Sequence, residues 1–272
     1  MNSRERVKRA IHFENPDRTP VWLFNRDMQR GDILLYDFRA DNGEELSEWG
    51  YKWHRLDDGT MGQPLEPVIA EIEDAEAYQP PTLDPERRLA RLADYKKASE
   101  GYYRLPMLMI TGFSTYTFLR GFENTMIDFA AEPEMAGALL DKIFNFEKQA
   151  MTLAAEAGFD GFHFGDDWGT QESTIISLEM WRRLFKPRYR DQFTHAHKLG
   201  LDVWFHSCGH VADLVPELHE IGADVINLSQ PNVMNLSPIA EKFRGKQCFM
   251  VPVSYQTTGI SGTPQDIINE TR

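Results

Sequence analysis

The sequence predicts an α/β fold, a (β/α)8 TIM barrel short of its last βα unit, and three observations carry that prediction. From residue 105 onward, short apolar runs rich in strand formers alternate with longer segments of helical spacing. The helical segments stop at Gly158, Gly200 and Gly222, residues suited to ending a helix. Such alternation implies parallel βαβ units, and a chain of 272 residues is long enough for a barrel of ~250.

Taken in order, Asn2 with Glu5 has the pattern of a capping box and predicts a short helix to about residue 13. Residues 20–24 form a compact strand candidate. Residues 27–100 are polar and turn-rich, with a turn at Asp57-Asp58-Gly59, a strand over 68–72, a stop at Pro80-Pro81 and a helical charged run over 84–97. Strands are then expected over 106–110, 159–164, 201–206, 223–228 and 247–253. Helices are expected over 134–157, 177–199, 211–221 and 236–243. Thr263-Pro264 reads as the N-cap and first position of another helix. About seven strands result, where a complete barrel has eight, and Arg272 falls a few residues into the last helix. The whole of 1–272 reads as one barrel domain, with no low-complexity linker.

Composition narrows the function. The formal net charge is −13, and a field of that sign repels phosphate backbones, which argues against nucleic acid as a partner. The two cysteines, Cys208 and Cys248, are too few for a disulfide scaffold and fit a reducing cytoplasm. The first residues are charged throughout, unlike a signal peptide, and the longest apolar run, 105–110, is too short to span a bilayer. Neither a Walker P-loop nor a G-x-G-x-x-G fingerprint occurs.

Barrels of this kind carry their chemistry at the C-terminal strand ends. Those ends hold Asn25 and Arg26, Phe113, then Asp166, Asp167 and Trp168, then His206 and Cys208, then Gln230, and finally Tyr255. His206 and Cys208 are the sharpest pair. Two residues apart in a strand, they share a face, and an imidazole with a thiolate makes half of a zinc site. A packed thiol beside a hydrogen-bonded histidine is the plainer reading of the same motif, and both readings stand at this point. Cys248 opens its strand and so lies on the opposite rim, whereas His210, Asp166 or Asp167 could supply a third ligand. A carboxylate at 166 or 167 could also act as a general acid or base, and adjacent residues of an extended chain point apart, so at most one of the two faces the pocket. Asn25, Arg26, Phe113, Trp168, Gln230 and Tyr255 are expected to bind substrate. His163, inside a strand, reads as a satisfied core histidine.

Several segments together resemble the uroporphyrinogen decarboxylase superfamily: Arg4 to His12 with Asn15-Pro16-Asp17-Arg18, Leu119 to Asn124, Ala131 to Glu134, Leu139 to Lys142, Phe205 to Gly209, Gly222-Ala223-Asp224, Gln230-Pro231 and Gly262-Thr263-Pro264. Nearly the whole chain is covered. The resemblance implies a barrel with a deep pocket at the strand C-termini. True decarboxylases carry an arginine-containing run after their first strand that binds porphyrinogen carboxylates. Here Phe24 to Arg30 keeps Arg26 and Arg30 only approximately and adds Asp27. The H-x-C pair is similar to the methyltransferase branch, whose members move a methyl group between a corrinoid protein and a thiol or pterin acceptor, with zinc activating the acceptor. The resemblance implies His206 and Cys208 as zinc ligands, with a third ligand, a cysteine, expected beyond Arg272. A zinc-dependent methyltransferase is therefore the leading expectation. The others are a cofactor-free decarboxylase of a polycarboxylated tetrapyrrole and a non-catalytic barrel that binds a corrinoid or tetrapyrrole. Expected partners are a small-molecule substrate, a corrinoid protein and a second copy of the chain.

Overall fold

Six parallel strands, each neighbouring the next in chain order, form the sheet of the computed structural model, which describes residues 1–22, 31–40, 45–54 and 62–271. They are β1 (Ile33–Asp37), β4 (Tyr103–Met107), β5 (Gly161–Gly165), β6 (Asp202–Ser207), β7 (Val225–Leu228) and β8 (Cys248–Met250). Between the first two, β2 (Trp53–His54) and β3 (Gln63–Pro64) form a small antiparallel pair of their own. Strand order equal to chain order, with a helical crossover between most neighbours, is the winding of a TIM-type barrel.

Strand alternation sorts the core into two layers. Phe162, Phe164, Val203, Phe205, Ile226 and Leu228 belong to the outer, helix-side layer, where Phe164 and Phe205 pack on Phe193 of the helix Lys186–Lys198. The opposite face forms a second cluster of Ile33, Tyr103, Leu105, Trp204 and Val225. The parallel register puts Met107, His163, His206, Asn227 and Met250 on that same inner face, nearer the C-terminal strand ends. Helix Ser3–Ile11 closes the other end: Val7 and Ile11 join the inner cluster, Arg6 pairs with Asp32 at 2.7 Å, Arg4 with Asp160 at 2.6 Å and Lys8 with Asp202 at 3.2 Å.

Several expectations need correction. The first sheet strand is β1, inside the region read as polar and turn-rich. Its Ile-Leu-Leu-Tyr core is a buried parallel strand without alternation, so periodicity does not mark it. Residues 20–22 have no regular structure, and 23 and 24 lie outside the described residues. The segment 68–72 is not a strand but leads into a 3-10 turn, Ile72–Ala75, that buries Ile69 and Ile72 three residues apart. The strand expected over 106–110 sits earlier, at β4, because the chain turns at Met109, whose φ is 71°. The helical run over 177–199 is two helices, Leu178–Leu184 and Lys186–Lys198, divided where Pro187 has no N–H to donate.

Candidate metal centre

β5 and β6 lie in register, with Gly165 opposite His206, so the loops leaving both strands emerge side by side. Pairing continues past the strand ends: Asp166 N–H donates to the His206 carbonyl at 3.2 Å, and Gly169 N–H to the Cys208 carbonyl at 3.1 Å. Asp167 therefore stands beside the His-x-Cys pair. Among the described residues, the ligand atoms of Asp167, His206 and Cys208 all lie within 4.8 Å of one another. His206 Nε2 is 3.4 Å from Asp167 Oδ1 and 3.6 Å from Cys208 Sγ. Ligands held tetrahedrally at 2.0–2.3 Å from one ion stand about 3.5 Å apart, so these separations fit a shared ion.

The histidine is fixed from behind. Its Nδ1 lies 2.6 Å from Asn227 Oδ1 and 3.2 Å from Ser229 Oγ. The Asn227 amide is itself oriented, since Nδ2 donates to the Met250 carbonyl at 3.0 Å. Only Oδ1 then faces the ring, so Nδ1 keeps a proton in either charge state, and Nε2, aimed at Asp167 and Cys208, is the nitrogen left to take a proton or a metal ion. Burial works against a charged His206, but the Asp167 hydrogen bond and the charges of Asp167 and Cys208 prevail and hold its pKa at about 10. Burial likewise opposes ionisation of Asp167, and His206 outweighs it, leaving the carboxyl below its usual range. Asp167 and Cys208 thus favour positive charge at His206 Nε2, and a metal cation placed there would meet the same field as a proton. Tyr255 Oη lies 3.8 Å from Cys208 Sγ. Burial and the charge of Cys208 push its pKa up, so the phenol keeps its proton and can donate to the sulfur.

The profile of the uroporphyrinogen decarboxylase family matches residues 55–270. The chain belongs to the uroporphyrinogen decarboxylase family. Among solved structures, the fold is similar to a methyltransferase from Methanosarcina mazei, with a TM-score of 0.79, at 14% sequence identity, over 99% of this chain and 88% of that one. No curated protein matches closely enough to count as a relative. No helix among the described residues is long and apolar enough to cross a membrane.

Within this family fold the expected site residues separate into three groups. His206, Cys208 and Asp167 converge, with Tyr255 beside Cys208 and Gln230 accepting the Gly209 N–H at 2.7 Å. Asp166, Phe113 and Trp168 lie in the helix layer. The Asp166 carboxylate accepts from Phe113 N–H at 2.9 Å and Ser114 N–H at 2.8 Å, capping the helix Gly112–Arg120, and takes the Tyr189 hydroxyl as well. Trp168 stacks on Phe113, ring centres 4.4 Å apart, fully buried. Alternation sends Asp167 to the pocket and its neighbours on both sides into the core. Asn25 and Arg26 lie outside the described residues.

One inward-facing residue escaped sequence reasoning, and the expectation for a second needs correction. Asn227 holds His206. The available signal was an amide in the middle of the apolar strand β7. His163 is buried, and it is not satisfied as expected: neither ring nitrogen has a hydrogen-bond partner. Its ring centre lies 5.9 Å from that of Trp22 and 5.7 Å from that of His206. Burial first and the charge of His206 second push its pKa down to about 3, so it stays neutral beneath the centre.

Proposed function

We propose that the protein is a zinc-dependent methyltransferase that moves a methyl group between a corrinoid protein and a thiol or pterin acceptor. The observation that carries this reading is the convergence of Asp167, His206 and Cys208 at the C-terminal strand ends. A carboxylate, a neutral imidazole and a thiolate suit zinc, and two negative ligands balance a divalent charge. Three protein ligands leave one position open, as in catalytic zinc sites. Bound zinc would hold an acceptor thiol as the thiolate at neutral pH. The chain's own residues do the rest. Asn227 keeps the His206 lone pair aimed at the centre, Asp167 supplies the third donor from within the chain, and the Tyr255 hydroxyl stands over Cys208. In the direction of acceptor methylation, the acceptor atom loses its proton and bonds the methyl carbon, while the cobalt–carbon bond of the methylated corrinoid substrate breaks and leaves its electron pair on cobalt. The likeness of fold to a structure named a methyltransferase is in keeping with this.

The family's name supports a second reading, a cofactor-free decarboxylase of a polycarboxylated tetrapyrrole. One assay separates the two. The zinc-loaded protein is given methylcobalamin with a small thiol, or uroporphyrinogen alone. Methyl transfer that is lost in C208S supports the proposal. Decarboxylation that C208S and a chelator leave unchanged replaces it with the second reading.

A further inference from the structure

The two loops that carry the metal donors meet backbone to backbone at Gly169 and Gly209. A side-chain carbon built on Gly169 would stand 2.5 Å from both the Gly209 carbonyl carbon and the His210 nitrogen. One built on Gly209 would collide with the Gly169 backbone, and Gly209 has a φ of +77°. Around this contact, Gly169 N–H donates to the Cys208 carbonyl at 3.1 Å and His210 N–H to the Thr170 carbonyl at 2.7 Å. Cys208 N–H donates to Asp167 Oδ1 at 2.9 Å. Any side chain at 169 or 209 must push the loops apart, because what it meets is backbone that cannot swing away.

The geometry points to Gly169 and Gly209 as positioning residues: their contact sets the reach from Asp167 to His206 and Cys208, so that the loops present one preformed three-donor site. This rests on the metal reading above. It assigns the spacing of the donors to a backbone contact two residues beyond Asp167 and one beyond Cys208. The fit is tight for aspartate, one methylene shorter than glutamate, and metal affinity falls steeply when a donor is displaced or loses its support, typically by 10–100-fold.

The test is zinc affinity by competition with a chromogenic chelator, in wild type, G169A, D167N, D167E, G169A/D167N and G169A/D167E. G169A should weaken zinc binding at least about tenfold. D167N should cost as much in the wild type and nothing further in the G169A background. D167E should weaken the wild type yet partly restore G169A, since the longer side chain spans the widened gap. If G169A does not fold, the same set is read in G209A, whose added carbon meets the Gly169 backbone from the other loop. Wild-type affinity in D167E, or equal effects of D167N in both backgrounds, overturns the inference while leaving the metal site in place. Wild-type protein that binds no zinc overturns the metal reading itself.

Discussion

At the scale of single residues, the centre works through its supports. His206 can serve as a ligand only if its proton stays on Nδ1, and that is decided by an amide whose own orientation is decided by the Met250 carbonyl. Replacing Asn227 with alanine should therefore lower zinc affinity about 10–100-fold. Asn227 is buried at 4% exposure and its side chain serves this chain of bonds, so unfolding of the zinc-free variant should shift by no more than about 1–2 kcal/mol. Chelator competition beside chemical denaturation checks both halves. Unchanged affinity would mean that the tautomer is set some other way. His163 is the opposite case, a polar ring with no support at all. Its neutrality keeps a second positive charge away from the centre.

At the scale of elements, the barrel separates floor from mouth. The floor is held by charge: Asp32, at the start of β1, accepts from Arg6, Arg18, Ser3 and the Val21 N–H. Burial raises the Asp32 pKa, and those donors together outweigh it, so the folded pKa lies below the ordinary value. A depressed pKa means that the stabilisation is complete above the unfolded pKa of about 3.9 and fades as pH falls through the folded value. D32N removes one partner of a buried ion pair and should cost about 3 kcal/mol at neutral pH. Its stability should also fall less steeply than wild type below pH 4, as followed by urea denaturation across pH. Parallel pH profiles would show that other carboxylates govern acid unfolding. The mouth is held differently. Backbone pairs join the β5 and β6 loops, and the buried carboxyl groups of Asp166 and Glu147 cap one helix, with Glu147 accepting the Gly112 N–H at 2.7 Å.

At the scale of the molecule, the regular second half was legible in sequence because each strand there is a short apolar run closed by a glycine-terminated helix. Leu236–Phe243 falls where its spacing places it. The first half was not, because β1 has no alternation and its neighbours are loops shaped by tertiary contacts, such as the Val68 N–H held by the Leu119 carbonyl at 2.8 Å. Period two put His206 and Cys208 on one face, and their place at a strand end made them candidates. Asp167 could be narrowed to one of two adjacent aspartates, but which one faces inward depends on the β5–β6 register, a long-range fact that local pattern does not contain. Register also explains why Asn227 was missed: its partner across the sheet lies 21 residues away.

The proposed function stands or falls with one zinc ion held jointly by Asp167, His206 and Cys208. The direct measurement is zinc per chain after loading and exhaustive gel filtration, by elemental analysis, in wild type, D167A, H206A and C208A. Wild type should hold about one zinc per chain, each single variant should lose most of it, and the Cys208 thiol should be protected from alkylation only when zinc is bound. A wild-type chain that retains no zinc, or a C208A variant that retains as much as wild type, would contradict it.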